Sequence, residues 1–191
     1  MDTQIRKLNL GCGEFPKAGY VNVDWNSAVR PDVIHNLNIL PYPFPDNSFL
    51  FIEADHVLEH LMSPFAVMKE IWRIARDQAR VIIRVPHFSR GFSHPEHQRG
   101  FGITFPLYFN KNFKGGYQGV EFELKILKLS WFAQRYLKKQ TIPKYQYIAA
   151  LMLGKIFDFF ANLSPVLCSR LWCFWVGGFE EIEYEFIVVK R

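Results

Sequence analysis

Residues 8–24 read LNLGCGEFPKAGYVNVD: a short apolar run, a Gly-Cys-Gly turn at Gly11 to Gly13, a second apolar run, and a carboxylate at Asp24. Few architectures use such a unit. Glycines let the backbone approach a ligand that a Cβ would repel, and a carboxylate ending the next parallel strand can accept hydrogen bonds from both hydroxyls of a ribose. The unit therefore reads as a cradle for a nucleoside cofactor at the carboxyl ends of two parallel strands.

The spacing narrows the cofactor. A dinucleotide fingerprint needs a third glycine for close helix packing and an acidic residue about 20 positions beyond the turn. Here Pro16 occupies the place of that glycine, and Asp24 follows Gly13 by eleven positions. No Gly-Lys-Ser or Gly-Lys-Thr follows the turn, so the phosphate loop of NTPases is absent as well. A nucleoside cofactor without a phosphate chain remains, and S-adenosylmethionine is the common one.

With LNLGCG at 8–13, NVD at 22–24, LPYPFPDNSF at 40–49, HVLEHL at 56–61 and VIIRVPHF at 81–88 in order, the chain resembles class I S-adenosylmethionine-dependent methyltransferases, specifically their small type 11 branch. The ordered set is specific where each piece alone is weak. It covers about the first half of the chain, with weaker similarity at HPEHQRGF (94–101) and GGFEEIEYEFIVVK (177–190). The resemblance implies an α/β, Rossmann-like sheet that is mostly parallel with an antiparallel last strand. It also implies cofactor-binding roles. Leu10, Gly11, Cys12 and Gly13 would face the methionine and ribose, Asp24 and Trp25 the ribose, Asn36 and Leu37 the adenine, and Asp55 and His56 the methionine end. Asn36 stands where family members often carry Asp, which keeps an acceptor oxygen but weakens the electrostatics.

The strands are closely spaced. Strands are expected at 5–10, 20–24 and 32–35, with nine residues between Leu10 and Tyr20 and seven between Asp24 and Asp32. Parallel neighbours normally need a crossover of a dozen or more residues carrying a helix. Neither gap accommodates one, so one face of this half-sheet should lack its helical cover. Downstream, a fourth strand is expected near 50–54 and an amphipathic helix at 63–78, with Ser63 as N-cap, Pro64 at the first helical position, and Val67, Ile71 and Ile74 on one stripe. A fifth strand at 79–85 and a long loop at 86–119, read as the substrate side, come next. Segment 121–131, with Phe122, Leu124, Ile126 and Leu129 as its apolar set, should pair antiparallel with a last strand at 182–190.

Between these last strands lies an insertion, 143–179, whose helix would be apolar nearly all round, a pattern found in burial or in lipid. It is expected to cover the bare half-sheet, placing Phe157 to Leu163 there; a homodimer interface and a membrane-surface contact are the other two readings. No run reaches the roughly 20 residues of a spanning helix, because Lys155, Asp158 and Arg170 interrupt it.

Composition bounds the rest. The 191 residues suit one domain, 1–191. Cys12, Cys168 and Cys173 show no paired spacing, and the N-terminus carries no signal-peptide core, so the expectation is a reducing, cytoplasmic setting, peripheral to a membrane at most. Segment 111–144 holds eight Lys or Arg against Glu121 and Glu123, a local +6 within a net charge of +5. It reads as a solvated basic surface rather than a nucleic-acid site, since no nucleic-acid motif accompanies it. His94 and His97, in the long loop, are the candidate catalytic or acceptor-binding residues, because a histidine titrates near working pH. No metal is expected: Pro95 interrupts the segment and no helical His-Glu-x-x-His context is present. The reading taken forward is methyl transfer to a small or lipid-like acceptor. A methyltransferase-like domain that binds without turnover and an RNA-modifying enzyme are the alternatives.

Overall fold

The alternation Leu8-Asn9-Leu10 and Val21-Asn22-Val23 decides how the sheet is dressed. In the computed structural model, which describes residues 6–90 and 94–190, seven strands form one sheet in the order β3-β2-β1-β4-β5-β7-β6. Strands β1 (Lys7–Leu10), β2 (Val21–Asp24), β3 (Val33–Ile34), β4 (Phe49–Asp55) and β5 (Ala75–Pro86) run parallel. β7 (Glu181–Val189) lies antiparallel between β5 and β6 (Glu121–Ser130). This is the expected class I arrangement. Ile5, expected to open β1, and residues 91–93 of the long loop lie outside the described residues.

Helix α1 (Pro64–Ile74) starts as expected: the Ser63 hydroxyl accepts the Ala66 N–H, Pro64 opens the first turn, and Val67, Ile71 and Ile74 are buried. It stops four residues earlier than expected. β5 begins at once at Ala75, paired with Phe49, and a register shift before Arg80 lets Gln78 take a left-handed φ of 61°. α1 covers an apolar sheet face built from Leu8, Leu10, Ile52, Val81, Ile83 and Tyr184. Much of the phenylalanine content closes that face, where Phe101, Phe105, Phe109, Phe122 and Phe186 meet edge to face.

No α-helix joins β1 to β2 or β2 to β3; a single 3-10 turn, Ser27–Val29, stands in the second gap. The expected remedy is wrong, however. The insertion folds as α3 (Lys144–Leu163) and α4 (Pro165–Arg170), preceded by α2 (Arg135–Thr141), and α3 packs along β6, at the edge opposite β3. Phe157 touches Trp131 and Trp172, far from the half-sheet it was expected to cover. The reason is that the bare face is polar. Asn9, Asn22 and Glu53 share register on it and are buried together. Asn9 donates to Asn22 Oδ1 at 3.0 Å, the Asn22 backbone and side-chain amides donate to Asp32, and Lys17 pairs with Glu53. The loop between β1 and β2 thus seals the face with hydrogen bonds, and Arg84 between Asp55 and Glu183 continues the polar surface across the sheet.

β6 also departs from expectation. A bulge between Leu124 and Ile126 flips the alternation beyond it, so Ile126 lies opposite Glu185 and is exposed while Leu129 is buried opposite Ile182; Leu124, on the face of buried Phe122, is exposed as well. α3 adheres to this edge through Asn162, which accepts the Leu129 N–H at 2.8 Å and donates to the Leu129 carbonyl at 2.9 Å, completing a strand pairing with a side chain. α4 is tied to the end of β5 by buried His87, whose Nε2 lies 3.0 Å from Ser169 Oγ.

Candidate functional site

Gly11 and Gly13 hold φ values of 65° and 50°, the left-handed region that glycine enters at little cost. A Cβ on Gly11 would lie 2.3 Å from Val57 Cγ2, so the turn also packs tightly under the segment after β4. Asp24 closes the cradle: its Oδ2 accepts the Gly13 N–H and its Oδ1 accepts the Asn26 N–H, both at 2.9 Å. Each oxygen keeps a further lone pair for a ligand. These residues border a cavity of about 590 Å³ that also meets Trp25, Asn36 and Leu37. Its opposite wall is His56, Val57, His60 and Leu61, with Glu96 at the rim.

Seven of the ten expected cofactor residues, Gly11, Gly13, Asp24, Trp25, Asn36, Leu37 and His56, therefore meet on one cavity. Three do not. Leu10 is in the apolar core, because it alternates with Asn9 onto the α1 side. Cys12 is buried beneath the turn, and burial followed by the nearby Asp24 charge pushes its thiol up, so it packs as a neutral group. Asp55 turns aside to pair with Arg84 at 3.2 Å and borders a neighbouring recess with Tyr136. Asn36 Oδ1 accepts the Asn38 N–H, which fixes the side chain and leaves the oxygen one further lone pair for a ligand.

At the far wall His56 has a φ of 54° and both ring nitrogens taken: Nδ1 lies 3.2 Å from Glu59 and Nε2 lies 2.9 Å from Glu181. Burial alone would depress its pKa, but the bonds to Glu181 and Glu59 raise it to about 10. His56 is thus a fixed imidazolium and no general base near neutral pH.

The histidines beyond it gather because two sequence-distant segments are laced together. The Gln98 backbone N–H donates to the Glu59 carbonyl and its side chain to the His60 carbonyl, while Arg99 donates to the Leu61 carbonyl. As a result His60 and His97 rings stand 4.9 Å apart, as do His94 and His97. They line a second cavity of about 460 Å³, which shares His56 and His60 with the first. Both candidate catalytic residues, His94 and His97, are in this second cavity and neither lines the first.

Glu59, His60 and His97 offer ligand atoms within 4.8 Å of one another. Glu59 is fully buried, yet its charge is already balanced by the His56 imidazolium at 3.2 Å. That cation opposes a divalent ion on the same carboxylate.

Sequence reasoning missed Glu181, 125 positions from His56, and the part played by α2. Ala133, Gln134, Leu137 and Lys138 form one side of the second cavity, and Tyr136 meets Phe15 of the cofactor loop edge-on at 4.6 Å. Nothing in local spacing signals either contact.

Residues 16–83 match the family model described as a methyltransferase domain. That segment, about a third of the chain, is similar to methyltransferase domains. Solved structures agree on the fold. YcgJ from Bacillus subtilis superposes with a TM-score of 0.55 at 14% identity, over 98% of this chain and 93% of that one. An S-adenosylmethionine-dependent methyltransferase from Mesorhizobium loti gives 0.57 at 9% identity, over 96% and 92%. Phosphoethanolamine N-methyltransferase 2 from Haemonchus contortus, in complex with phosphomonomethylethanolamine and S-adenosylhomocysteine, gives 0.58 at 15% identity, over 100% of this chain and 50% of that one. No curated protein matches by sequence. The wall of the first cavity carries Asp24 and Glu96, no lysine or arginine, and His56, whose ring nitrogens are both paired with carboxylates, a lining that fits a cationic, phosphate-free nucleoside such as S-adenosylmethionine.

Proposed function

We propose that this chain is a methyltransferase acting on a small or lipid-like acceptor bound in the second cavity, against His60, His94 and His97, and that residues 1–191 work as one domain. The observation that carries the reading is the shared His56–His60 wall, which sets the histidine cavity beside the cofactor cradle. S-adenosylmethionine supplies, when bound, an activated methyl on a good leaving group. The protein's share is then mainly alignment and exclusion of water. Asp24 would hold the ribose diol, with its carboxylate pre-aimed by Gly13 and Asn26. Leu37 and Asn36 would flank the base. The turn at Gly11 to Gly13 would let the methionine part pass close to the backbone. His56, pinned as imidazolium, would set the shape and charge of the wall without moving a proton. A proton leaving the acceptor would pass to His97 or His94.

The apolar share of the acceptor reading rests on α2, whose Leu137 faces the histidines, and on the exposed apolar surface that continues from it. Isothermal titration with S-adenosylhomocysteine tests the cradle: Asp24→Ala should weaken binding by roughly 10- to 100-fold, the range for losing hydrogen bonds to a charged group. His97→Ala should leave that affinity unchanged while lowering turnover with an acceptor found by screening amines, phenols and lipid headgroups. Unaltered affinity in Asp24→Ala would remove the cradle assignment.

A further inference from the structure

The outward stripe of α3 runs against the usual order of a surface helix. Tyr145, Ala149, Met152, Ile156, Phe159 and Leu163, spaced by fours and threes, are all exposed, whereas the buried residues Gly154 and Ala161 lie on the stripe that meets β6. The fit on the inner side is close: a Cβ on Gly154 would stand 3.1 Å from Phe132 Cβ. The apolar side is therefore not a face awaiting the sheet. The sheet contact is already made by the other side. α4 and the turn after it extend the apolar surface with Val166, Leu167, Leu171, Phe174 and Trp175, the last 80% exposed. Soluble monomers rarely expose contiguous apolar patches beyond a few hundred square ångströms.

Charge selects the occupant. Residues 135–175 contain Arg135, Lys138, Lys139, Lys144, Lys155 and Arg170 against one acidic residue, Asp158, a net of +5 that equals the charge of the whole chain. Asp158 is turned inward, accepting the Trp131 N–H at 2.6 Å. Among the described residues no carboxylate lies within ion-pair distance of Lys139, Lys144, Lys155 or Arg170, all exposed. A second copy docked across a two-fold axis would bring these cations against their own counterparts. An anionic lipid surface would pair with them and accept the aromatic side chains between its headgroups.

We propose that the α3–α4 face is a membrane-docking surface for anionic lipid. Among the described residues no helix is long and apolar enough to cross a membrane, so the proposed contact is peripheral, with the helices lying along the surface. α2, which immediately precedes α3, walls the histidine cavity, so docking would bring that cavity close to the lipid headgroups. The docking does not depend on the methyl-transfer reading.

Co-sedimentation of the full chain with vesicles of phosphatidylcholine alone, and of an equimolar mixture with phosphatidylglycerol, tests it. Binding is expected to the anionic vesicles, to weaken as salt is raised, and to fall about fivefold for each of Lys139→Gln, Lys144→Gln, Lys155→Gln and Arg170→Gln. The variant F159S/F160S/W175S should lose binding. Because these side chains are exposed, its melting temperature and S-adenosylhomocysteine affinity should stay at wild-type values, which separates this test from that of the methyltransferase site. Equal binding to neutral vesicles, no binding to either, or a dimer that the serine variant converts to monomer without any vesicle binding would overturn the proposal.

Discussion

At the scale of single residues, the cradle depends on two conformational demands that coincide at Gly11. Its left-handed φ would cost an alanine about 1–2 kcal/mol, and the clash with Val57 adds an overpacking term of about 1–3 kcal/mol. Gly11→Ala should therefore melt roughly 5–15 °C lower than wild type and bind S-adenosylhomocysteine more weakly, measurable by calorimetry and titration. Gly13 has the same backbone sign but nothing within 4 Å of the added Cβ, so its alanine variant isolates the backbone cost. Asp24 shows why a carboxylate ends β2: two backbone N–H groups orient it before any ligand arrives. Asn36 is oriented likewise, by the Asn38 N–H on its Oδ1, which a sequence comparison cannot reveal.

At the scale of elements, the attachment of α3 to β6 rests on an amide imitating a strand. Asn162 serves both the N–H and the carbonyl of Leu129, a fully buried residue. Replacing it by leucine leaves two backbone groups unpaired, at about 1–3 kcal/mol each. Asn162→Leu should lower the melting temperature by several degrees and raise amide hydrogen exchange at Leu129 before the rest of β5 and β7 opens. Protection unchanged at Leu129 would mean that the edge holds without this contact. The half-sheet illustrates the opposite device. The early helices are missing, and the strands themselves carry the remedy in Asn9, Asn22 and Glu53, whose network with Lys17 and Asp32 replaces a packed helix.

At the scale of the whole molecule, partly buried His56 and buried His87 limit stability from opposite sides of neutrality. His56 is raised from 6.5 to about 10 in the folded state, so the stability it contributes is complete below pH 6.5 and is lost as pH rises toward 10. His87 is lowered from 6.5 to about 4 by burial, so its contribution is present above pH 6.5 and is lost as pH falls toward 4. Melting temperature against pH should thus decline on both flanks. His56→Gln should flatten the alkaline flank and His87→Gln the acid one; a flank that keeps its slope in the matching variant would show that other groups control it.

The positions of the strands, the glycine turn, Asp24 and the α1 cap were legible because each is specified locally: by alternation, by the backbone freedom of glycine, or by a hydroxyl three residues before an amide. The missing early helices were legible from nine and seven residues of spacing alone. Their consequence was not, since the polar members of LNL and VNV read as minor interruptions until register placed Asn9 beside Asn22 and Glu53. The histidine cavity was half legible: both motifs were visible, but only the bonds from Gln98 and Arg99 to the segment after β4 bring them together. Sequence by itself determined the strand positions and the glycine turn with its closing carboxylate, because those depend on short-range steric and periodic rules. The tertiary structure decided which side of α3 meets the protein, which carboxylates hold His56, and where the insertion lies. Those outcomes depend on the sum of contacts between segments from 27 to 125 residues apart, and no local pattern encodes that sum.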